Sequence, residues 1–321
     1  MNTSKIKVSV IILTYNHGKY VRQAIESVLD QKVSFPMEII VADDKSTDQT
    51  RDIIGKFHEK FPDLVKPIFR DENVGTTRNI CDAFLRSRGE YLIAFGGDDY
   101  WIDSKKLQIQ VDWLDKHPDY IGVSHVLESR NNEGTVLRRY PSARLIGKTV
   151  SSELFLKGFY FPTPTTLFRN IFQGENAESF IHLITTSRLV EDVSLAMILL
   201  DTGKVHVLDR CMSVYRVNAG ASDTNYNSMR DHIQTFQDHI EIYEANEKFF
   251  MKKYDFSRLY AEKAIKAFLN GLMNHKIGLF YSNFMKISPK ARLVSIAYFP
   301  VYTSKILWRK VLALRILRPS K

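Results

Sequence analysis

The chain has 321 residues, 44% apolar and 25% charged, a globular composition with enough length for one large α/β domain with additions or for two packed domains. Its two cysteines, Cys81 and Cys211, lie far apart without metal-ligand spacing, which argues against a disulfide framework or a zinc site and fits a reducing cytosol. The net charge of +9 resides in residues 281–321, which hold nine Lys or Arg and no acid, while residues 1–280 balance; a general nucleic-acid binder would carry its basic surface on the folded face instead.

Ile6 to Leu13 is rich in Val and Ile and too continuous for either face to be wet, so it reads as a buried strand. It breaks at Thr14-Tyr15-Asn16-His17-Gly18, after which Tyr20, Ala24, Ile25, Val28 and Leu29 recur at helical spacing. A second strand, Glu38 to Ala42, ends at Asp43-Asp44. Ser46 to Gln49 resembles a capping box ahead of a helix carrying Ile53, Ile54 and Phe57. Val65 to Phe69 is a third strand, and Asn73-Val74-Gly75 leads into a helix with Ile80, Ala83 and Phe84 on one face. Tyr91 to Phe95 is a fourth strand, ending at Gly96-Gly97-Asp98-Asp99. Repeated strand–loop–helix units with buried strands predict an α/β fold with a mostly parallel sheet and helices on both sides. From about residue 145 the alternation fades. Phe161-Pro162-Thr163-Pro164 reads as a rigid, extended linker, and a helix runs through Glu191 to Leu200. Gly203 ends it, Val205 to Leu208 resumes a strand, and residues 228–285 read as helical.

Asn16, Asp43, Asp44, Asp98 and Asp99 all fall just past the carboxyl ends of these strands, where open α/β sheets bind ligands. So many acids at one sheet edge repel one another unless a cation joins them. Gly96-Gly97-Asp98-Asp99-Tyr100-Trp101 is the most informative string. Its carboxylates offer hard oxygen ligands for Mg²⁺ or Mn²⁺ and leave room for diphosphate oxygens, and its glycines let a phosphate approach the backbone. A turn with an acidic helix cap is the plainer reading of an Asp-Asp pair alone. Asp43-Asp44 could bind the base and ribose of a nucleotide, although a solvated turn and helix cap explain part of that string. Thr14-Tyr15-Asn16 offers a hydroxyl, an aromatic face and an amide suited to a nucleobase, while Tyr15 could equally be core. No phosphate-cradling P-loop or dinucleotide glycine pattern is present. His17, His125, His182 and His206 share no spacing and read as loop or core residues.

The segments "VSVIILTYNHGKYVRQAIESVLDQ", "EIIVADDKSTDQT" and "NVGTTRNICDAFLRSRGEYLIAFGGDDYW", with Glu191-Asp192 further on, together resemble family 2 glycosyltransferases of the GT-A fold over roughly residues 5–220. The resemblance implies a Rossmann-like GT-A domain over 1–225, with a nucleotide-binding half (1–125) and an acceptor-binding half (126–225), followed by a helical, basic extension (226–321). It implies that Thr14, Tyr15 and Asp43 or Asp44 hold a nucleoside, uridine by preference, and that Arg78 lies near the donor. Asp98 would bind Mn²⁺ or Mg²⁺ as the last carboxylate of the family's Asp-x-Asp motif, with Asp99 beside it. Gly96 stands where the first acid of that motif is expected, so one donor contact has to come from elsewhere. Inverting transfer needs a base for the acceptor hydroxyl. The resemblance assigns that role to Asp192, with Glu191 orienting the acceptor, although acids at a helix N-terminus are also favoured by its dipole. Tyr215-Arg216 resembles the Tyr-Arg end of the family's catalytic region, and Arg216 would neutralise the leaving diphosphate.

The expected activity is therefore inverting transfer of a single sugar from a UDP-sugar to a glycan or lipid-linked acceptor, in cell-surface polysaccharide or glycolipid synthesis. The Gln-x-x-Arg-Trp motif of processive synthases is absent. Two other classes stay open. A nucleotidyltransferase should show a Gly-rich, basic loop where this chain has Thr-Tyr-Asn, and a non-catalytic nucleotide-sugar-binding protein would keep the fold. Met1 to Lys7 lacks a signal-peptide core, and no run approaches the roughly 18 apolar residues of a membrane span. The expectation is a cytoplasmic protein, an oligomer being compatible, that is peripheral on the inner face of the cell membrane through the basic, aromatic segment 284–321. Packing of that segment on its own protein is the alternative.

Overall fold

The first strand, β1 (Val8–Thr14), leaves Val8, Val10, Ile11 and Ile12 without exposed surface, and a strand buried on both faces needs cover on both. The computed structural model describes residues 5–187, 192–217 and 232–316, apart from the side chains of 232–234, 302 and 305–316. The chain divides into two units, Met1–Phe155 with Phe159–Tyr226, and Leu156–Gly158 with Asn227–Lys321.

In the first unit β1 pairs in parallel with β2 (Met37–Asp43) and β4 (Tyr91–Gly96), and β3 (Val65–Phe69) extends the sheet beyond β2. Cover comes from three helices whose apolar residues recur on one side. α1 (Val21–Leu29) buries Val21, Ala24, Ile25 and Val28, α2 (Thr50–Lys60) buries Ile53, Ile54 and Phe57, and α3 (Thr76–Arg86) buries Ile80, Ala83 and Phe84. The remaining strands are β5 (Tyr100–Trp101), β6 (Tyr120–Arg130), β7 (Val136–Tyr140), β8 (Thr149–Val150), β9 (Leu167–Arg169) and β10 (Lys204–Arg216). Among the described residues the sheet runs β3-β2-β1-β4-β9-β6-β10-β5, with β7 on β6 and β8 on β10. It is parallel across β3-β2-β1-β4 and again between β6 and β10, and the short β9 joins these blocks by antiparallel pairing to β4 and β6. α4 (Lys106–Lys116), α5 (Ser152–Leu156), α6 (Ala177–Ile184) and α7 (Asp192–Thr202) complete this unit.

Two local expectations give way here. No capping box forms before α2: the Ser46 hydroxyl turns to Asp43, and Asp48 accepts the Thr50 amide at 3.0 Å instead. Phe161 to Pro164 is no extended linker. Phe161 is buried in the core, and Thr163–Thr165 forms a 3-10 turn whose Thr165 and Thr166 hydroxyls donate to the Pro162 carbonyl at 2.8 and 3.0 Å. Burial of the phenyl ring and three satisfied polar groups outweigh the stiffness that two prolines suggest.

The second unit contains α8 (His232–Phe249), α9 (Ser257–Met273), α10 (Ile277–Phe284) and α11 (Pro289–Ile316). Aromatic residues form its core: Tyr243 meets Tyr260 edge-on at 5.0 Å and Phe268 meets Phe280 at 5.4 Å. No described helix is long and apolar enough to cross a membrane.

Candidate active site

Parallel pairing aligns the ends of three strands. Thr14 lies opposite Asp43 on one side of β1, and Leu13 opposite Gly96 on the other, so the loops after β2 and β4 flank the end of β1 about two strand spacings, or roughly 10 Å, apart.

The loop after β2 is held by its own acids. Asp43 has no exposed surface; its carboxylate accepts the Thr14 hydroxyl at 3.0 Å, the Ser46 amide at 3.0 Å, the Ser46 hydroxyl and the Arg51 Nε at 2.7 Å. Those four bonds use the whole accepting capacity of a carboxylate. Asp44 accepts the amides of Val74 at 2.8 Å and Gly75 at 2.9 Å, which fixes the entry to α3 and leaves half its capacity for another donor. The expected crowding of acids is thus relieved at Asp43 by the Arg51 guanidinium and at Asp44 by backbone N–H groups. Asn16 adopts a left-handed φ of 55° and ties the loop after β1 to the loop after β2: its backbone amide donates to the Ser46 hydroxyl at 2.9 Å and its Oδ1 accepts the Thr47 amide at 2.8 Å. Thr14 and Asn16 are thus tied to the loop after β2, whereas the Tyr15 ring and Arg78 stand exposed.

The loop after β4 is different. Gly97 donates to the Leu13 carbonyl at 2.7 Å, and a side chain there would strike Thr14 Cγ2 at 2.6 Å, so only glycine permits this approach of β4 to β1. Asp98 is partly buried, and no described group hydrogen-bonds its carboxylate. Its Oδ1 occupies the space over Gly96, 2.5 Å from where a Cβ would stand. Asp99 is buried, and its carboxyl is held well above the usual carboxylate range, by burial first and then by the charge of Asp98. Arg216, more than a hundred residues on at the end of β10, closes this loop. Its amide donates to Asp99 Oδ1 and its Nε to the Asp98 carbonyl, both at 2.9 Å, while Nη2 donates to Gln23 at 2.7 Å. The guanidinium lies over the rings of Tyr20 and Tyr100, at 4.7 and 5.1 Å, a stacking that lysine could not reproduce.

A third element arrives with the turn before β9. Pro164 and Thr165 line a cavity with Asp99, Trp101, Ser213 and Tyr215 that has room for about one water, and Thr163, next along, donates its hydroxyl to Asp192 Oδ1 at the start of α7. Glu191 lies outside the described residues. Beneath the cavity, Lys106 is fully buried against the Trp101 ring at 4.1 Å and donates to Gln110 at 2.6 Å; burial holds its amine well below the usual lysine range. Gln110 in turn donates to the Val123 and Thr165 carbonyls at 2.8 and 2.9 Å. His125 Nε2 sits 3.3 Å from the Ser213 hydroxyl, a core position with its basicity lowered by burial.

Sequence reasoning missed Gln23, Lys106 and Gln110, and it could not foresee that Thr163 binds Asp192. A lysine opening a helix reads as surface charge, and nothing in a linear string marks the hydroxyl that meets Asp192. Among the described residues no three His, Cys, Asp or Glu side chains cluster as a protein-only metal site. A cation here would rest on Asp98 and on oxygens from a ligand.

Comparison with known proteins agrees with this architecture. The profile described as Glycosyl transferase family 2 matches residues 9–173. A protein of Mycobacterium tuberculosis of unassigned function is 39% identical over 133 residues, 41% of this chain and 38% of that protein. A glycosyltransferase of Nostoc is 30% identical over 217 residues, 66% of this chain and 65% of its own length. The match to the mycobacterial protein thus spans less than half of that relative. In structure, Staphylococcus aureus TarS in complex with UDP-GlcNAc superposes with a TM-score of 0.61 at 20% identity, covering 92% of this chain and 89% of the other. At that identity the likeness speaks for the GT-A fold.

Proposed function

The chain belongs to glycosyl transferase family 2, and on that premise we propose that it moves a single sugar from a UDP-sugar to an acceptor hydroxyl with inversion at the anomeric carbon. The observation that carries this reading is Arg216, which brings a cation from the far end of the domain onto the Asp98-Asp99 loop.

In the proposed reaction the acceptor oxygen attacks the anomeric carbon as the bond from that carbon to the diphosphate oxygen breaks, and the acceptor proton passes to Asp192. Thr163 fixes the Asp192 carboxylate through its hydroxyl, and Glu191 would orient the acceptor. The departing diphosphate gathers negative charge. Arg216 has its Nε and Nη2 engaged with Asp98 and Gln23, which leaves Nη1 to meet that charge. Tyr15 would offer a ring face to the base, Asp44 its remaining acceptor positions to the nucleoside, and Arg78, exposed in the first turn of α3, its charge to a phosphate. Asp98, with no described protein donor on its carboxylate, fits a hard divalent cation, and Mn²⁺ or Mg²⁺ bound there would supply Lewis-acid neutralisation of the diphosphate.

The acceptor we propose is a glycan or lipid-linked precursor of a cell-surface polymer, met at the inner face of the membrane. TarS of Staphylococcus aureus, 34% identical over 116 residues, 35% of this chain and 19% of that protein, is described as a poly(ribitol-phosphate) β-N-acetylglucosaminyltransferase. The test is purified protein with Mn²⁺, a panel of UDP-sugars against GDP-mannose, and membrane extracts as acceptor pool. The expected result is acceptor-dependent release of UDP and stronger thermal stabilisation by UDP-sugars. Stabilisation without turnover on any pool would make the chain a nucleotide-sugar-binding protein, and pyrophosphate-dependent formation of UTP would make it a nucleotidyltransferase.

A further inference from the structure

The second unit carries a surface that its own core does not use. Ile277, Tyr281 and Met285 follow one another at four-residue steps along α10 and its C-terminal cap, and all three are exposed. Leu293, Ile296, Ala297 and Pro300 do the same at three- and four-residue steps on α11, with Leu293 69% and Ile296 65% exposed. Residues at such spacing share one helix face. The stripes lie together, because Arg292 of α11 reaches Met285 Sδ with its Nη1 at 3.3 Å. Leu272, Met273 and Leu279 add exposed apolar surface on the neighbouring helix end and on α10. A water-exposed patch of this kind marks a contact surface.

Charge decides what the contact is. Glu262 is the last acidic residue of the chain, and residues 263–321 hold twelve Lys or Arg. Lys276, Lys286 and Lys290 are exposed among these stripes. Lys290 pairs with Asp255 and Lys286 donates to Asn283, yet the segment after Glu262 stays strongly net positive; a second copy of the chain would set this charge against itself, and an acid-poor apolar protein surface would leave the net charge unmatched. An anionic bilayer satisfies both features: acyl chains take the apolar side chains and lipid phosphates take the lysines, each basic residue near the surface contributing attraction.

We propose that the exposed face formed by residues 272–301 of α9, α10 and α11 docks the protein on anionic phospholipid, with Leu293, Ile296, Tyr281 and Met285 inserted at the headgroup level. The inference gives a means to the proposed membrane-presented acceptor and rests on that reading for its purpose, while the binding itself can be measured without turnover. The experiment is flotation of the full chain with vesicles of phosphatidylcholine alone and of phosphatidylcholine mixed with phosphatidylglycerol. Binding is expected to the mixed vesicles only, to weaken as salt is raised, and to fall about tenfold or more in a Leu293→Asp, Ile296→Asp double variant, which retains wild-type UDP release with a soluble acceptor. Equal flotation with both vesicle types, or an unchanged double variant, would overturn the proposal. So would a concentration-dependent dimer that the double variant abolishes, since the face would then belong to a second copy.

Discussion

Two Asp-Asp pairs follow the two strands that flank β1, and the fold treats them in opposite ways. Asp43-Asp44 is built into the frame: one carboxylate is saturated by Thr14, Ser46 and Arg51, and the other ties the entry of α3 through two amides. Asp98-Asp99 keeps a carboxylate without a described protein donor on Asp98, and a buried neighbour whose ionisation is disfavoured. The same dipeptide at the same topological position is tied into the frame where donors surround it, with only Asp44 keeping spare acceptor capacity, and is the proposed metal and diphosphate site where glycines and a single arginine surround it. What distinguishes the pairs is their company.

That contrast can be broken by substitution. The largest effect is expected at the proposed reaction centre: Asp98→Asn and Asp192→Asn should each lower sugar transfer by about a thousandfold or more, with circular dichroism and melting temperature near wild type. Full turnover in either would remove that residue from the mechanism. At the structural pair the loss should be in folding. Asp43→Ala leaves Arg51 and two hydroxyls without their partner and is expected to cost about 2–3 kcal/mol, read as a lower urea midpoint with an unchanged slope. The low end of the buried-pair range applies because Arg51 is one-third exposed and can turn to water.

Smaller effects sharpen the same division. Arg216→Lys keeps the charge but loses the fork that reaches Gln23 while lying over Tyr20 and Tyr100. Transfer should fall about a hundredfold, with the Asp99 contact retained because it comes from the backbone amide. Asp99→Asn should cut turnover yet stabilise the fold. The carboxyl of Asp99 is raised in the folded state, so its contribution to stability is complete below about pH 4 and is lost as pH rises through the folded value. The melting temperature of the variant should therefore match wild type near pH 4 and exceed it at neutral pH. A constant offset across that range would mean the group is not forced to ionise in a buried position.

Much of the first half was legible because its signals are local. Buried parallel strands are continuous apolar runs, and β3 occupies Val65–Phe69, the span read from the sequence. The helices declare their buried faces by period, and glycines mark where backbones approach. The second half was less legible. Its strands pair with distant partners, and its polar residues are satisfied by tertiary neighbours that no string reveals. Phe161 to Pro164 reads as a linker because prolines dominate the local view, yet it is the turn that carries Thr163 to Asp192. Ser46 looks like a helix cap, and only the closeness of Asp43 explains why it is not one.

The amino-acid order by itself determined the alternation of elements, the buried strands of the parallel block, and the placing of Asp43, Asp44, Asp98 and Asp99 at strand ends, since these depend on hydropathy period and chain direction alone. Tertiary structure decided which acids are spent and which are kept. It also brought Arg216 onto Asp98, Thr163 onto Asp192 and Lys106 under Trp101. The reason is physical: a carboxylate's availability is set by how many donors reach it in space, and those donors come from residues as near as three and as far as more than a hundred positions away.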